Sequence, residues 1–509
     1  RVAQVTVANA KLVESDERFG MHRFALERPL APGAKTQVRF DLHFANGTFD
    51  DDTTIVANGS LLMTTFVYPT LGYRRSYEIT DPRERRKHGL PAGNIPTLDD
   101  EHGTPIGDTD LVDFAATVST SRDQIAIAPG QLERSWEEHG RRYFRYQSDA
   151  PIPNRFAIAS GRFDVVRRKV GHVLVELYSH PGHPQNIDRM LAATSTTLAY
   201  AEQHFGRYPW NVLRVVEVPS YWPFGGFAMP TLILMREDRA FLTDARNPRN
   251  VDLVTRRTAH EVLHQWFGHQ LIAAVGEGSS AITESLTKYG ELMVMEQLYG
   301  KTAVRNQLGY ELTSYLRGRS NEQLAEVPLW KARGQAYLYY GKGSLVTYAL
   351  RDLLGEARMN AAIRGLVDQF RGVPDRATTR DLLAHLRRVA NDEEYALIQQ
   401  WLTEIVLYDL QIEEAKVVRG ERGYEVRMRV RAAKSKTDGE GRETPVPMDE
   451  EVEIALFDQD HETVIASQKA RLRNGMNEVV IVTPKPPTIG VIDPYFTRVG
   501  VRPRNHVNM

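Results

Sequence analysis

The apolar pattern of this chain changes period twice, and that restricts it to few architectures. Up to about Pro181 the residues alternate or are β-branched, as in Val2–Val7, Thr36–Phe44, Thr53–Val56, Asp113–Val118, Gln124–Ile127, Tyr143–Tyr146 and His172–Leu177. The pairs Asn46–Gly47 and Asn58–Gly59 suit turns. A charged stretch dotted with Pro and Gly, from about Asp81 to Asp110, reads as a long surface loop. Helical spacing then takes over in Asn186–Phe205, Val251–Gln270, Ser280–Tyr299, Gly341–Leu354 and Thr379–Val389. Asn186 is the expected N-cap of the first, and Gly206, Gly300 and Gly355 stand where three of them should stop. Two strands, Leu213–Val218 and Thr231–Met235, interrupt the helices and are joined by an aromatic-glycine loop, Tyr221–Gly226. From about Gln411 alternation returns in Tyr424–Val430, Glu451–Leu456 and Glu478–Val482, at the spacing of a small sandwich. The expected fold class is α+β multidomain: an N-terminal antiparallel β domain over 1–180, a mixed α/β core over 181–408 and a C-terminal β-sandwich over 409–509.

Composition removes several function classes. With no cysteine among 509 residues, disulfide frameworks, thiolate nucleophiles and Cys-ligated metal sites are excluded. Sixty-four Lys+Arg against 65 Asp+Glu leaves no basic footprint for nucleic acid. No apolar run approaches the roughly 18 residues of a membrane span, and the N-terminus lacks a signal-peptide pattern. A start at Arg1 rather than Met leads us to expect an excised or processed piece.

The strongest chemical signal is His260-Glu261-Val262-Leu263-His264. Residues four apart share a helix face, so both imidazoles can reach one metal ion. Glu261, about 100° around the axis, is placed to address a water on that metal instead. The bland alternative is a pair of hydrogen-bonded histidines on a core helix. A catalytic zinc site needs a third protein ligand and an open position. A metzincin would have its third His at position 270, which is Gln270; His269 stands one residue early. A carboxylate from the next helix is the other solution: Glu284 is the candidate, and Glu277, in the loop before that helix, the competitor. Glu291 projects from nearly the same face as Glu284, two turns on. It could orient a zinc-bound imidazole or pair with Lys288 at the surface.

These residues resemble a known family. His260 through Gly268 looks like the zinc helix of the aminopeptidase N family of gluzincins (peptidase family M-one), which includes leukotriene-hydrolase relatives. Phe205-Gly206-Arg207-Tyr208-Pro209-Trp210 is similar to the family's Phe-Gly-x-Tyr-Pro turn. Ile282-Thr283-Glu284-Ser285, with Tyr289 and Glu291, resembles its Leu-Asn-Glu-Gly helix, and Tyr340-Gly341-Lys342-Gly343 its Tyr-x-Lys-Gly. The resemblance covers roughly residues 180–360. It implies a thermolysin-like catalytic core holding one zinc ion per chain on His260, His264 and Glu284, with Glu261 as base and Tyr340 as oxyanion stabiliser. Without it, Tyr340 beside Tyr337 and Tyr339 would read as a packed aromatic cluster, and Lys342 as a structural or carboxylate-pairing residue.

Three departures narrow the expectation. The family's third ligand falls one residue earlier, at this chain's Thr283; one inserted residue in 273–280 restores the match. The family's Gly-x-Met-Glu-Asn strand, which binds the substrate's free amine, should fall near Gly225–Pro230. There Ala228 takes the Glu position and Met229 the Asn position, and with Gly225 and Gly226 they are the candidate substrate-binding residues. The long helical C-terminal domain of many members has no room. Details such as His269-Gln270 and Glu284-Ser285-Leu286 look like bacterial peptidase domains fused behind an ABC-type permease, which implies a membrane-anchored parent with this portion soluble, on the periplasmic side. The expected function is a zinc metallopeptidase acting on peptides, aminopeptidase-like with a non-standard amine-recognition strand. An endopeptidase and a silent zinc-containing peptide-binding module of a transporter are the alternatives.

Overall fold

The computed structural model describes residues 2–18, 20–43, 59–64, 68–72, 78–79, 82–91, 93, 96–99, 111–247, 250–421, 423–460, 462–501 and 505–509. The N-terminal third is built of small antiparallel sheets. Val2–Val7 pairs with Val38–Leu42, and Ala10–Asp16 with Met21–Leu26. Two three-stranded sheets follow, one centred on Arg141–Gln147 and the other on Ala157–Gly161. The expected strand at 53–56 and the turn at 46–47 lie outside the described residues. Within the stretch read as loop, Pro82–Lys87 forms a short helix.

The central unit carries the site, and its elements are labelled from its first strand. β1 (Asp164–Val170) and β2 (Val173–Ser179) form a hairpin, and both precede the boundary expected at 180. After helix α1 (Ile187–Phe205) come β3 (Val212–Val218), β4 (Gly226–Met229) and β5 (Leu232–Arg236). They join in the order β1-β2-β3-β5-β4, with β2, β3 and β5 parallel to one another and β4 antiparallel at the edge. β3 is buried on both faces, so its apolar residues do not alternate with exposed polar ones, and its two charged residues, Arg214 and Glu217, are buried and paired with Glu176 and His183. Asn186 does not cap α1. Its amide instead donates to the carbonyls of Ala240, Phe241 and Thr243, tying the helix start to the turn after β5.

Helices then build a wall on the sheet: α2 (Leu253–Leu263), α3 (Leu286–Ser320), α4 (Gly343–Leu354), α5 (Glu356–Phe370), α6 (Thr379–Val389) and α7 (Asp392–Thr403). Gly300 breaks α3 with φ 77°, a left-handed value that glycine tolerates best. α2 ends at Leu263, well before the expected Gln270. Trp266, Phe267 and Leu271 extend the apolar period, but they are buried in a turn that folds back on itself, with Gly268 at φ +138°. The Trp266 ring donates its N–H to the Gly206 carbonyl at 2.7 Å.

The C-terminal part is a sandwich, as expected. Two long strands, Ile405–Gly420 and Gly423–Thr437, pair along their length, and the second also pairs with Gly475–Thr483. A second sheet is centred on Asp449–Phe457. Val426, Met428, Val430, Ile454, Leu456 and Leu472 fill the space between. No helix among the described residues is long and apolar enough to cross a membrane.

Candidate metal centre

Asp252 starts α2 by accepting the Val254 and Thr255 N–H groups at 3.1 Å, which satisfies two of the helix's orphan donors. Val254, Ala259, Val262 and Leu263 anchor its apolar side in the core. The opposite side presents His260 and, at the cap, His264, with ring centroids 4.8 Å apart and planes perpendicular. Both imidazoles are held from behind by Nδ1. That of His260 donates to Glu291 Oε2 at 3.0 Å, and that of His264 to the Phe267 carbonyl at 2.9 Å. With Nδ1 protonated, each Nε2 turns a lone pair toward the same point.

At that point stands Glu284. Its Oε2 is 3.4 Å from His260 Nε2 and 3.6 Å from His264 Nε2. The acid rides on a π turn, Ala281–Ser285, that opens α3. Such a turn holds one more residue than an α turn, which suits the extra residue of spacing noted above. Glu284 Oε2 is buried without a hydrogen-bond partner among the described residues. An orphaned carboxylate oxygen between two imidazole nitrogens fits a divalent cation, and two His with one Glu is the donor set of catalytic zinc.

The charges of these residues reflect the same convergence. Burial disfavours the His260 imidazolium, but the carboxylates of Glu284 and Glu291 outweigh it and hold its pKa up at about 9. Burial works against Glu284 too, yet His264 and His260 bring it down to about 2.

Glu291 does both things its spacing allowed. One oxygen orients His260; the other accepts Lys288 Nζ at 2.6 Å, Arg256 Nε at 2.7 Å and the Gln307 amide. Lys288 and Arg256 also reach Glu311. Glu291, Lys288 and Glu311 are all buried, so this is an interior network, not a surface pair. Arg256, Gln307 and Glu311 escaped sequence reading, although Arg256 precedes His260 by one helical repeat. Glu277, the rival ligand, is spent elsewhere: it accepts the Leu98 N–H at 3.2 Å and pairs with Lys331.

Glu261 stays outside the ligand group and is buried. Burial raises its carboxyl above the ordinary range, against the pull of His260 and His264. It lies directly beneath the edge strand: a Cβ placed on Gly226 would fall 2.3 Å from Glu261 Oε1. Gly226 and Ala228 face α2, and Gly225 precedes them. Met229, the fourth residue expected on the recognition strand, has its side chain fully buried in the core. Its carbonyl accepts the Gln265 amide at 2.9 Å, which locks β4 to the end of α2. His269 is buried near the Ala228 carbonyl. Desolvation, then Arg155 and His264, drive its pKa down to about 3, so it is neutral.

Tyr340 sits on a second π turn, Tyr337–Lys342. Its ring is 4.6 Å from that of Tyr339 and 5.8 Å from that of His260. Burial first, then Glu284, raises its phenol pKa, so the hydroxyl keeps its proton as a donor. The aromatic packing and the placement at the centre hold together. Lys342 is buried, 3.2 Å from Glu326, away from this chemistry.

Residues 189–401 match the peptidase family M1 domain. The chain carries an M1 peptidase domain. The match runs from α1 through α7 and contains every ligand above. Human endoplasmic reticulum aminopeptidase 2 is 27% identical over 207 residues, 39% of this chain and 21% of that protein. Mouse aminopeptidase B is 26% identical over 252 residues, 47% and 37%. Leukotriene A-4 hydrolase of Xenopus laevis is 26% identical over 204 residues, 39% and 31%. The alignments thus span between about a fifth and two-fifths of these relatives' lengths. Legionella pneumophila aminopeptidase A, solved in complex with aspartic acid, shares the fold at a TM-score of 0.52 and 17% identity, over 77% of this chain and 45% of that one.

The contact between β4 and Glu261 in the M1 domain gives a direct test. Gly226→Ala must push the flexible end of Glu261 aside, because its carboxylate occupies the new methyl's place. The fold should survive, while on the assignment of Glu261 as base proposed below a displacement of about 1 Å costs on the order of 10²-fold in turnover. Steady-state kinetics with a melting curve on the same sample would check both halves.

Proposed function

We propose that this M1 domain is a zinc-dependent metallopeptidase, aminopeptidase-like but with a recognition strand lacking the usual acid. The observation that carries this reading is the division of roles among three carboxylates. Glu284 faces both Nε2 atoms, Glu291 fixes His260 from behind, and Glu261 does neither but lies under β4. A site that merely stored metal would need only the first two.

When bound, zinc supplies Lewis acidity toward a substrate carbonyl and makes water acidic enough to lose a proton near neutral pH. Glu261 takes that proton and returns it to the leaving amine; its raised carboxyl makes it the stronger base. The Tyr340 hydroxyl donates to the oxygen that gains charge in the transition state. The edge of β4, with Gly225 and Gly226 free of side chains, offers an extended peptide a backbone to pair with. Tyr340→Phe is expected to lower kcat about 10²- to 10³-fold with little change in KM, as for the loss of one oxyanion donor. An unchanged kcat would return Tyr340 to its aromatic packing role alone.

Ala228 bears on the mode of cleavage. Burying a substrate ammonium without an acid is costly, so its presence favours a second reading, an endopeptidase. A mixed-peptide digest followed by mass spectrometry tests the proposal. Trimming from free N-termini supports an aminopeptidase, internal cuts support the endopeptidase, and intact peptides from zinc-loaded protein refute hydrolysis. Chelation should abolish turnover and added Zn2+ restore it. The likeness to permease-fused domains supports placing this portion on the periplasmic side of a membrane-anchored bacterial protein, which cell fractionation of the full-length parent would check.

A further inference from the structure

The parallel strands β2, β3 and β5 end along one edge of the sheet, and three chemically active side chains meet there. β2 runs into a tight turn, Ser179-His180-Pro181-Gly182-His183, closed by the His183 N–H on the His180 carbonyl at 3.1 Å. Gly182 has φ +91°. Glu217 is the penultimate residue of β3, and Glu237 follows β5 directly. The crevice beyond the carboxyl ends of parallel strands is where open α/β sheets bind ligands.

The potential donor atoms of His183, Glu217 and Glu237 all lie within 4.8 Å of one another. Glu217 Oε1 is 2.6 Å from His183 Nδ1, and its Oε2 accepts the His180 N–H at 2.6 Å. Glu237 Oε1 accepts the Ser220 N–H at 2.9 Å. Both acids are buried, and among the described residues neither pairs with a lysine or arginine. Two buried carboxylates facing one partly exposed imidazole leave a surplus of negative charge in a low-dielectric place. Burial raises the Glu217 carboxyl, and His183 and the His180 N–H offset this only in part. A second imidazole stands beside them. The His180 ring centroid is 6.1 Å from that of His183, and both its ring nitrogens are buried without a partner in hydrogen-bond geometry, although the Arg162 carbonyl lies near.

We propose that His183, Glu217 and Glu237 form a second divalent-metal site, distinct from the HExxH centre. Imidazole with carboxylates is a donor set for zinc and its first-row neighbours, not for calcium. The ion has a defined mechanical position. Ser220, held by Glu237, begins the loop that runs to β4, and the Arg236 N–H and guanidinium hold that loop at Gly225 and Trp222. The second ion would therefore fix the root of the loop that delivers Gly226 to Glu261.

The test is metal stoichiometry on the full chain, stripped with chelator and reloaded with Zn2+ or Mn2+ up to 1 mM before gel filtration and elemental analysis. The wild type should bind two equivalents. Glu284→Gln should bind one, His183→Ala one, and the double variant none. His183 is on the rim of the cluster, so its removal should leave the fold intact; circular dichroism confirms it, and Glu217→Gln gives a second, isosteric check. Hydrogen exchange over residues 219–226 should slow when the second equivalent loads, and not in His183→Ala. One equivalent in the wild type under both metals, or two retained by His183→Ala and Glu217→Gln, overturns the proposal. Either result leaves the hydrolase reading standing, since that is judged by the peptide digest.

Discussion

Glu261→Gln should keep its metal and lose about 10²- to 10⁴-fold in hydrolysis, the usual contribution of a positioned general base. Gln has the same shape, so the contact beneath Gly226 and the burial of residue 261 in α2 are preserved. His260, His264 and Glu284 keep their positions, because none of their hydrogen bonds passes through Glu261. What disappears is the ability to accept a proton. Burial disfavours the charged carboxylate, yet the imidazoles on either side keep that opposition partial. Elemental analysis and turnover on one preparation separate the outcomes. Loss of zinc would mean that residue 261 holds the site together, and undiminished turnover would remove it as the base.

Glu291→Ala should be the most destabilising single change at the centre. It strips a carboxylate from Lys288, Arg256, Gln307 and the His260 ring together, leaving two interior cations to share Glu311. Removing one partner of a buried ion pair costs about 3–5 kcal/mol, and losing the support behind a metal-bound histidine weakens metal affinity about 10- to 100-fold. Glu291→Gln keeps an oxygen for His260 and should recover part of the affinity but less of the stability. Denaturant unfolding and zinc competition measure the two separately. Equal losses of affinity in both variants would show that charge, and not the bond to His260, is what the metal feels.

The convergence of the two candidate imidazole ligands was legible because its information is local. His260 and His264 are one helical repeat apart and share a face on that ground alone, while Glu284 stands on the π turn before α3. The role proposed for Tyr340 rests on the family resemblance, since its neighbours Tyr337 and Tyr339 mask it in the sequence. The π turns were not legible, because five or six residues carry no period that separates them from an α turn. The overlong expectation for α2 has a related cause: Trp266 and Phe267 continue the helical apolar rhythm although they are buried by a reversal at Gly268. Asn186 had the chemistry of a cap and was drawn into a loop by three carbonyls. The cluster at His183, Glu217 and Glu237 was beyond sequence reading, since its members are distant in the chain and meet only through parallel strand ends.

The two widened turns that carry Glu284 and Tyr340 grip each other. Ser285 Oγ donates to the Tyr339 carbonyl at 2.8 Å, and Gly343 leaves no room for even a methyl, with Ser285 Oγ 2.3 Å from where one would sit. Deleting a single residue from either turn would rewind it and rotate its side chain away by about 100°, and the clasp would carry the disturbance to the other. The acid and the phenol are therefore mechanically one unit: the reach of this centre changes only when both segments are altered in step.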